Sequence, residues 1–308
     1  VSCLSDKKAV KEFNNTYINA LAEKWDKNED ATVWTFNLRK GVQWVDVDGK
    51  ERKELTAQDF ITGLEYVLNY GKNSGANSSM AREMIKGAEE YYQLTSEEFN
   101  QTGTVSKATE DQFLDLVGIK VINDTTLEYT MVSPKPYFDT LATYSTLYPL
   151  SKTALDEYGD QYGTDHKTIY YDGPYLCAEY EQGSYKKLVQ NPTWWNKEDV
   201  RFETVTIQMV EDQAMAWSLF QSGDIYNVTL GEDALLEIYK QGESSEWYKY
   251  LVEGAKRKYV AGLHFNYNQK LSDGSLNAQW NTAIANKNFR LMFYYGVNWT
   301  NFLKRYNT

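Results

Sequence analysis

Alternating apolar and polar positions dominate the early part of the chain. In Val33-Trp34-Thr35-Phe36-Asn37-Leu38, residues Trp34, Phe36 and Leu38 fall on one face at period two, and Gly41 ends the run, which predicts a strand. Residues 43–47 continue extended up to the turn former Asp48-Gly49, ahead of the charged stretch Lys50-Glu51-Arg52-Lys53, so a hairpin is expected. The period then changes. Phe60, Ile61, Leu64, Val67 and Leu68 recur at helical spacing behind Thr56, with Asp59 three residues further on as a capping partner, and this predicts a helix over 57–69. A loop rich in Gly, Asn and Ser at 70–79 leads to a helix carrying Met80, Met84, Ile85, Ala88 and Tyr91, after which 93–110 are polar and poorly patterned.

Strands are expected at 118–121 and 126–132 around Asn123-Asp124, and Pro134 and Pro136 forbid extending the second. A short helix near 137–143 and a second helix capped by Ser151 and running through Tyr158 follow. Turn formers crowd 159–172, which makes that stretch the domain-boundary candidate. Beyond it, 175–180 and 184–190 flank Gln182-Gly183 as a hairpin, and 205–210 supplies another strand. Ala214, Trp217, Leu219 and Phe220 give the next helix an apolar side, with Gly223 at its carboxyl-terminal cap. A strand at 225–230, a helix at 232–241 and strands near 246–252 and 258–266 complete an α/β pattern. Residues 269–285 look loop-like, and Phe289, Met292, Phe293 and Val297 begin a helical region.

At roughly 100–200 residues per domain, 308 residues predict about two domains. An apolar share of 42% and a charged share of 24% sit near the averages for globular proteins and exclude disorder, collagen and coiled coil. A net charge of −11 repels phosphate backbones and anionic lipid, which argues against a nucleic-acid partner. No window approaches 18 consecutive apolar residues, so no membrane span is expected. Cys3 and Cys177 are too few for a disulfide framework or a structural zinc site, and His166 and His264 are the only histidines, which defeats most hydrolase and metalloenzyme templates. His166, among turn formers, is expected at the surface; His264 lies between Leu263 and Phe265 in a predicted strand, where packing is favoured over a place in a cleft.

Pairs such as Glu89-Glu90, Glu97-Glu98 and Glu211-Asp212 read as solvated faces rather than catalytic dyads. Neither a Gly-rich phosphate loop nor a Gly-x-Ser-x-Gly elbow occurs, and both absences weigh against an enzyme. The aromatic share of 15% suits packing first, and binding of partly polar ligands second. Val1-Ser2-Cys3 is similar to the end of a bacterial lipoprotein signal, but no apolar segment precedes it, and a chance cysteine is preferred.

Several strings taken together resemble the oligopeptide- and dipeptide-binding proteins of bacterial ABC importers, the family 5 extracellular solute-binding proteins. The markers are Trp34-Thr35-Phe36-Asn37-Leu38-Arg39-Lys40-Gly41-Val42-Gln43-Trp44 followed by Leu55-Thr56-Ala57-Gln58-Asp59-Phe60, then Pro134-Lys135-Pro136-Tyr137-Phe138, Gly173-Pro174-Tyr175, Asn191-Pro192 with Trp194-Trp195, Gly223-Asp224-Ile225 and Asn288-Phe289-Arg290. Their order is the family's. The long insert between Asn266 and Asn288 resembles the Gram-positive lipoprotein branch. Physically these are scaffold signals: Gly41 and Asp48-Gly49 set a hairpin, Thr56 caps a helix, and Gly173-Pro174 fixes the entry to a strand.

The resemblance implies an α/β fold, periplasmic-binding-protein-like of type II, with mixed sheets and flanking helices, cut at both ends relative to longer family members. It divides the chain into a peripheral lobe of hairpins and helices at 1–165, a central α/β lobe carrying part of the ligand cleft at 166–285, and the start of a missing carboxyl-terminal lobe at 286–308. The implied function is capture of oligopeptides outside the cytoplasm by lobe closure and delivery to ABC permease subunits, with no enzymatic activity, cofactor or metal. The implied location is extracytoplasmic, lipid-anchored at the cell surface or periplasmic. Thr229, Leu230, Gly231, Arg257 and His264 align with regions that line the peptide cleft in relatives. Where relatives offer Tyr and Asn, this chain has Thr, Leu and Gly at 229–231, so contact there is expected through main-chain groups, which is compatible with sequence-tolerant binding. The groups that hold peptide termini in the family fall largely in the missing lobe and cannot be carried over. The alternatives are a receptor of the same architecture for an oligosaccharide, a glycoside hydrolase with paired carboxylates in an aromatic cleft, and an inactive fragment or interaction module.

Overall fold

The computed structural model describes residues 2–4, 16–73, 77–251 and 263–301. The described residues up to Met209 form one compact unit and those from Val210 form another.

The strands of the first unit are β1 (Ser2–Leu4), β2 (Thr16–Ile18), β3 (Ala22–Lys27), β4 (Val33–Leu38), β5 (Gln43–Val45), β6 (Glu51–Glu54), β7 (Ile119–Asn123), β8 (Thr126–Thr130), β9 (Tyr175–Glu181), β10 (Tyr185–Gln190) and β11 (Thr204–Gln208). Its centre is a four-stranded antiparallel sheet in the order β3-β4-β8-β7. The period-two face of β4 turns inward: Trp34, Phe36 and Leu38 are buried, Trp34 opposite Tyr129 and Phe36 opposite Leu127 on β8. Phe138, on the short helix Phe138–Leu141, is fully buried, with ring centroids 6.2 Å from Trp34, 6.3 Å from Phe36 and 5.4 Å from Tyr129. Packing one ring, tilted or edge-on, against three gathers aromatic surface into one cluster.

The hairpin β5–β6 leads into helix Ala57–Leu68, which presents Ile61, Leu64 and Leu68 to the core. Gly63 is where the helix meets the chain near Tyr148: a Cβ there would stand 2.2 Å from the Tyr148 carbonyl oxygen. Leu150 N–H also donates to Asp59 O at 2.9 Å. The helix and the 145–150 segment therefore lie backbone to backbone.

The stripe from Met80 to Tyr91 forms two helices, Ser79–Met84 and Ala88–Thr102, where the sequence predicts one. Ile85 leaves the helix to bridge Met131, and Gly87 turns at φ 71°, with the Leu116 carbonyl so close that an added Cβ would lie 1.9 Å from it. A left-handed turn needs glycine here, and it ends the helical register. The second helix then runs through residues the sequence leaves unpatterned. Its inner face beyond Tyr91 is carried by Thr95, whose Oγ1 accepts from Tyr70 N–H at 3.2 Å, and by Phe99 against the Tyr70 ring. Apolar periodicity misses a polar residue used as core.

Ser151 caps helix Lys152–Tyr158 as expected, its hydroxyl accepting from Ala154 N–H. Residues 159–172 lie inside the first unit, where Tyr171 exchanges main-chain hydrogen bonds with Val45 at 2.8 and 2.9 Å. His166, expected at the surface, has a side chain only 10% exposed, with Nδ1 3.0 Å from an Asp165 carboxylate oxygen. The hairpin β9–β10 turns at Gly183, φ 75°, and β11 adds on the far side of β10.

The second unit holds helices Gln213–Ser222, Glu232–Gln241, Ala278–Ala285 and Lys287–Gly296. Asp212 caps the first by accepting from Met215 N–H at 2.7 Å, and Gly223, φ 83°, closes it. The strands expected here do not form among the described residues. Residues 225–230 stay irregular, because a strand exists only through a partner edge and none is offered among the described residues. Near 246–252, Ser245 O and Oγ take the N–H groups of Tyr248 and Trp247, and a 3-10 turn Tyr248–Tyr250 results. Of 258–266, residues 258–262 lie outside the described residues and 263–266 are irregular. Conversely, 269–285, expected as loop, contains helix Ala278–Ala285: Asn277 caps it through Trp280 N–H at 3.0 Å, and Ile284 is fully buried.

Candidate functional site

In the first unit, the inner face of β4 and β8 does not fill all the space in front of it. Phe36, Leu38, Leu127 and Tyr129 floor a cavity of about 540 Å³ whose walls include Trp44, Phe60, Leu147, Tyr148, Tyr162, Tyr170, Asp172 and Trp194. That volume lies within the range of small-ligand sites, roughly 300–1,000 Å³. The walls are apolar and aromatic, with a single carboxylate among the residues named.

Asp172 is partly buried, and loss of water around it pushes its carboxyl up to about 6, with the nearby Asp59 charge acting in the same direction against its own main-chain N–H. Among the described residues no other side chain hydrogen-bonds or ion-pairs with it. The cations close by are committed. Lys53 Nζ sits 2.7 Å from Asp59, and Arg52 Nη2 is 2.6 Å from Glu157. Arg52 Nε also donates to Tyr170 Oη at 3.0 Å, while the Tyr170 hydroxyl bonds to Glu157. Burial first, and then the bond to Glu157, push Tyr170 up to about 12, and the same hydroxyl holds Glu157 below the usual carboxylate range. Burial likewise pushes Tyr162 up to about 12.

A second cavity of about 450 Å³ is lined by Ile18, Tyr175, Trp194, Trp195, Arg201 and Phe202, among others. The Trp194 and Trp195 rings lie 5.1 Å apart, and the Arg39 guanidinium stacks 3.7 Å from the Trp195 ring centre while bonding Glu23 at 3.1 Å. The Trp195 indole N–H is buried, with no hydrogen-bond acceptor among the described residues.

Of the residues singled out from sequence, Thr229, Leu230, Gly231 and His264 belong to the second unit. Thr229 is exposed, Leu230 partly buried and Gly231 buried. Gly231 precedes helix Glu232–Gln241, its carbonyl accepts from Leu235 N–H at 3.1 Å, and a Cβ on it would meet Gln213 Oε1 at 2.6 Å. Neither Thr229 nor Leu230 uses a main-chain group in a hydrogen bond among the described residues. His264 is exposed in an irregular stretch with no bond to 229–231. Arg257 lies outside the described residues. Asp172 escaped the sequence reading because it stands among turn formers; the signal available was a lone acid in the aromatic run Tyr170-Tyr171-Asp172.

Among the described residues, no group of three or more His, Cys, Asp or Glu side chains is placed to hold a metal ion, and no helix is long and apolar enough to cross a membrane. Cys177 is a free thiol, pushed up by burial.

The described residues form mixed helices and sheets with aromatic-walled cavities in the first unit, and comparison with known proteins gives the family. The chain belongs to the bacterial extracellular solute-binding proteins, family 5 Middle, whose model matches residues 16–307. The oligopeptide-binding protein AmiA of Streptococcus pneumoniae is 30% identical over 296 residues, covering 90% of this chain and 41% of AmiA. The oligopeptide-binding protein AliA of the same organism is 26% identical over 302 residues, covering 94% of this chain and 42% of AliA. Among solved structures, the substrate-binding domain of an oligopeptide ABC transporter from Bacillus anthracis is 29% identical, with a TM-score of 0.55 over 68% of this chain and 36% of that one. The fold is the α/β, type II periplasmic-binding-protein-like fold that the sequence predicts. The chain spans less than half the length of these relatives.

Proposed function

We propose that this chain is part of the solute-binding component of an ABC importer, one that captures oligopeptides outside the cytoplasm and delivers them to permease subunits. The observation that carries this is the family match across residues 16–307, joined to relatives that bear the name oligopeptide-binding protein. Capture proceeds by closure of lobes on an extended peptide, a hinge motion whose closed form the permease distinguishes. It binds without turnover. The protein acts on the outer side of the membrane, lipid-anchored or periplasmic.

Main-chain groups at Thr229, Leu230 and Gly231, with Arg257 and His264, form part of the peptide cleft on this proposal. The main-chain groups of Thr229 and Leu230, unspent among the described residues, support it, because strand-like addition of a peptide needs free N–H and C=O groups and reads side chains little. On this proposal the lobe boundary falls near 165/166, inside the first compact unit, which runs through Met209. Small-angle scattering of the protein at its full natural length tests the mechanism: the radius of gyration falls when short peptides are added. No compaction with any peptide contradicts it.

A further inference from the structure

We propose that the cavity in front of β4 and β8 is a binding site for a small organic cation, a primary ammonium on a short aromatic or aliphatic body, held by Asp172 and by the faces of the surrounding rings. The site lies wholly within the first unit and stands independently of the peptide-binding proposal.

Three observations converge. First, an ionised carboxylate in a partly dehydrated wall is costly unless a cation answers it, and Asp172 has none among the described residues. Second, the nearby positive groups are already balanced. Lys53 answers Asp59 and Arg52 answers Glu157, so the pairs cancel and the Asp172 charge is left over at the cavity wall. Third, Trp44, Tyr148, Tyr162 and Trp194 line the same space, and electron-rich ring faces attract ammonium groups where water is scarce. An anion would meet the uncancelled charge of Asp172 with no cation among the described residues free to offset it. A neutral sugar would find rings for stacking but few polar wall groups for its hydroxyls. A compact ammonium with an apolar body satisfies both the carboxylate and the apolar floor, and about 540 Å³ is ample room for it.

Titration of the 308-residue chain with phenethylammonium chloride tests this by calorimetry and tryptophan fluorescence, with neutral 2-phenylethanol as the matched control. Saturable 1:1 binding of the ammonium is expected, weaker for the alcohol by at least about tenfold. Asp172→Asn keeps the size of the side chain, removes the charge and abolishes this preference. Tyr148→Leu alters a ring that is 54% exposed, so folding tolerates it, and it weakens the ammonium severalfold more than the alcohol. The preference also fades as pH falls below about 6, where Asp172 is protonated; the titratable groups that act on it among the described residues are Asp59, held by Lys53, and Tyr162, while the Tyr170 hydroxyl is engaged by Arg52 and Glu157. No saturable binding up to about 10 mM, equal affinity for the alcohol, or a preference that survives in Asp172→Asn overturns the proposal.

Discussion

Lys53 Nζ lies 2.7 Å from a carboxylate oxygen of Asp59, a residue whose side chain is only 1% exposed. The other oxygen of Asp59 takes the Thr56 amide at 2.8 Å and the Trp44 indole N–H at 3.2 Å. One acid thus caps helix Ala57–Leu68, ties it to the β5–β6 hairpin and holds a wall of the cavity in place. Asp59→Ala removes all three bonds and strands a lysine and an indole; a loss of about 3 kcal/mol is expected. Asp59→Asn keeps an acceptor oxygen and costs less. Chemical denaturation of the two variants gives the order.

Gly63→Ala runs against helix propensity. Alanine is favoured over glycine in a helix by about 1 kcal/mol, yet the new Cβ would stand 2.2 Å from the Tyr148 carbonyl oxygen. Backbone cannot move aside cheaply, so the variant is destabilised by about 2 kcal/mol net. A thermal melt that shows stabilisation contradicts the close packing of the helix on the 145–150 segment.

Phe138→Ala opens a hole beneath Trp34, Phe36 and Tyr129, and about 3–5 kcal/mol of stability is lost. Phe138→Leu retains most of the volume and loses less. Near-ultraviolet circular dichroism follows the same order, because Trp34 loses its neighbour.

The pH dependence of stability carries the signature of Asp172. Its folded carboxyl titrates near 6 and its unfolded carboxyl near 3.8, so the native state holds the proton more tightly. Between those values stability falls as pH rises, and above about 6 the full penalty, on the order of 1–3 kcal/mol, is in force. Asp172→Asn removes that slope, leaving the variant more stable than the parent at pH 7.5 and close to it at pH 4. Melting curves of both proteins across pH 4–8 check the crossing.

The sheet was legible wherever one face was apolar and the other polar. Trp34, Phe36 and Leu38 alternate in sequence and are buried in structure for the same reason. The helix at 57–68 was legible from its stripe and its cap together. Residues 93–102 were not, because Thr95 and Phe99 alone carry the inner face, and neither was helix Ala278–Ala285, where Trp280 and Ile284 give too short a stripe. Ile225 to Leu230 misled in the opposite direction: β-favouring side chains describe a preference, whereas a strand needs a neighbour. The candidate cavity was hidden for a further reason. Phe36, Tyr148, Asp172 and Trp194 are scattered along the chain, and only tertiary packing brings an acid and rings around one space.

Isothermal titration calorimetry of the protein at its full natural length, against a mixed library of short peptides and a matched library of oligosaccharides, bears most directly on the proposed function. Saturable one-to-one binding of peptides, with little dependence on side-chain sequence and none of sugars, is the expected result. A folded protein that binds no peptide, or that saturates with oligosaccharides instead, contradicts it.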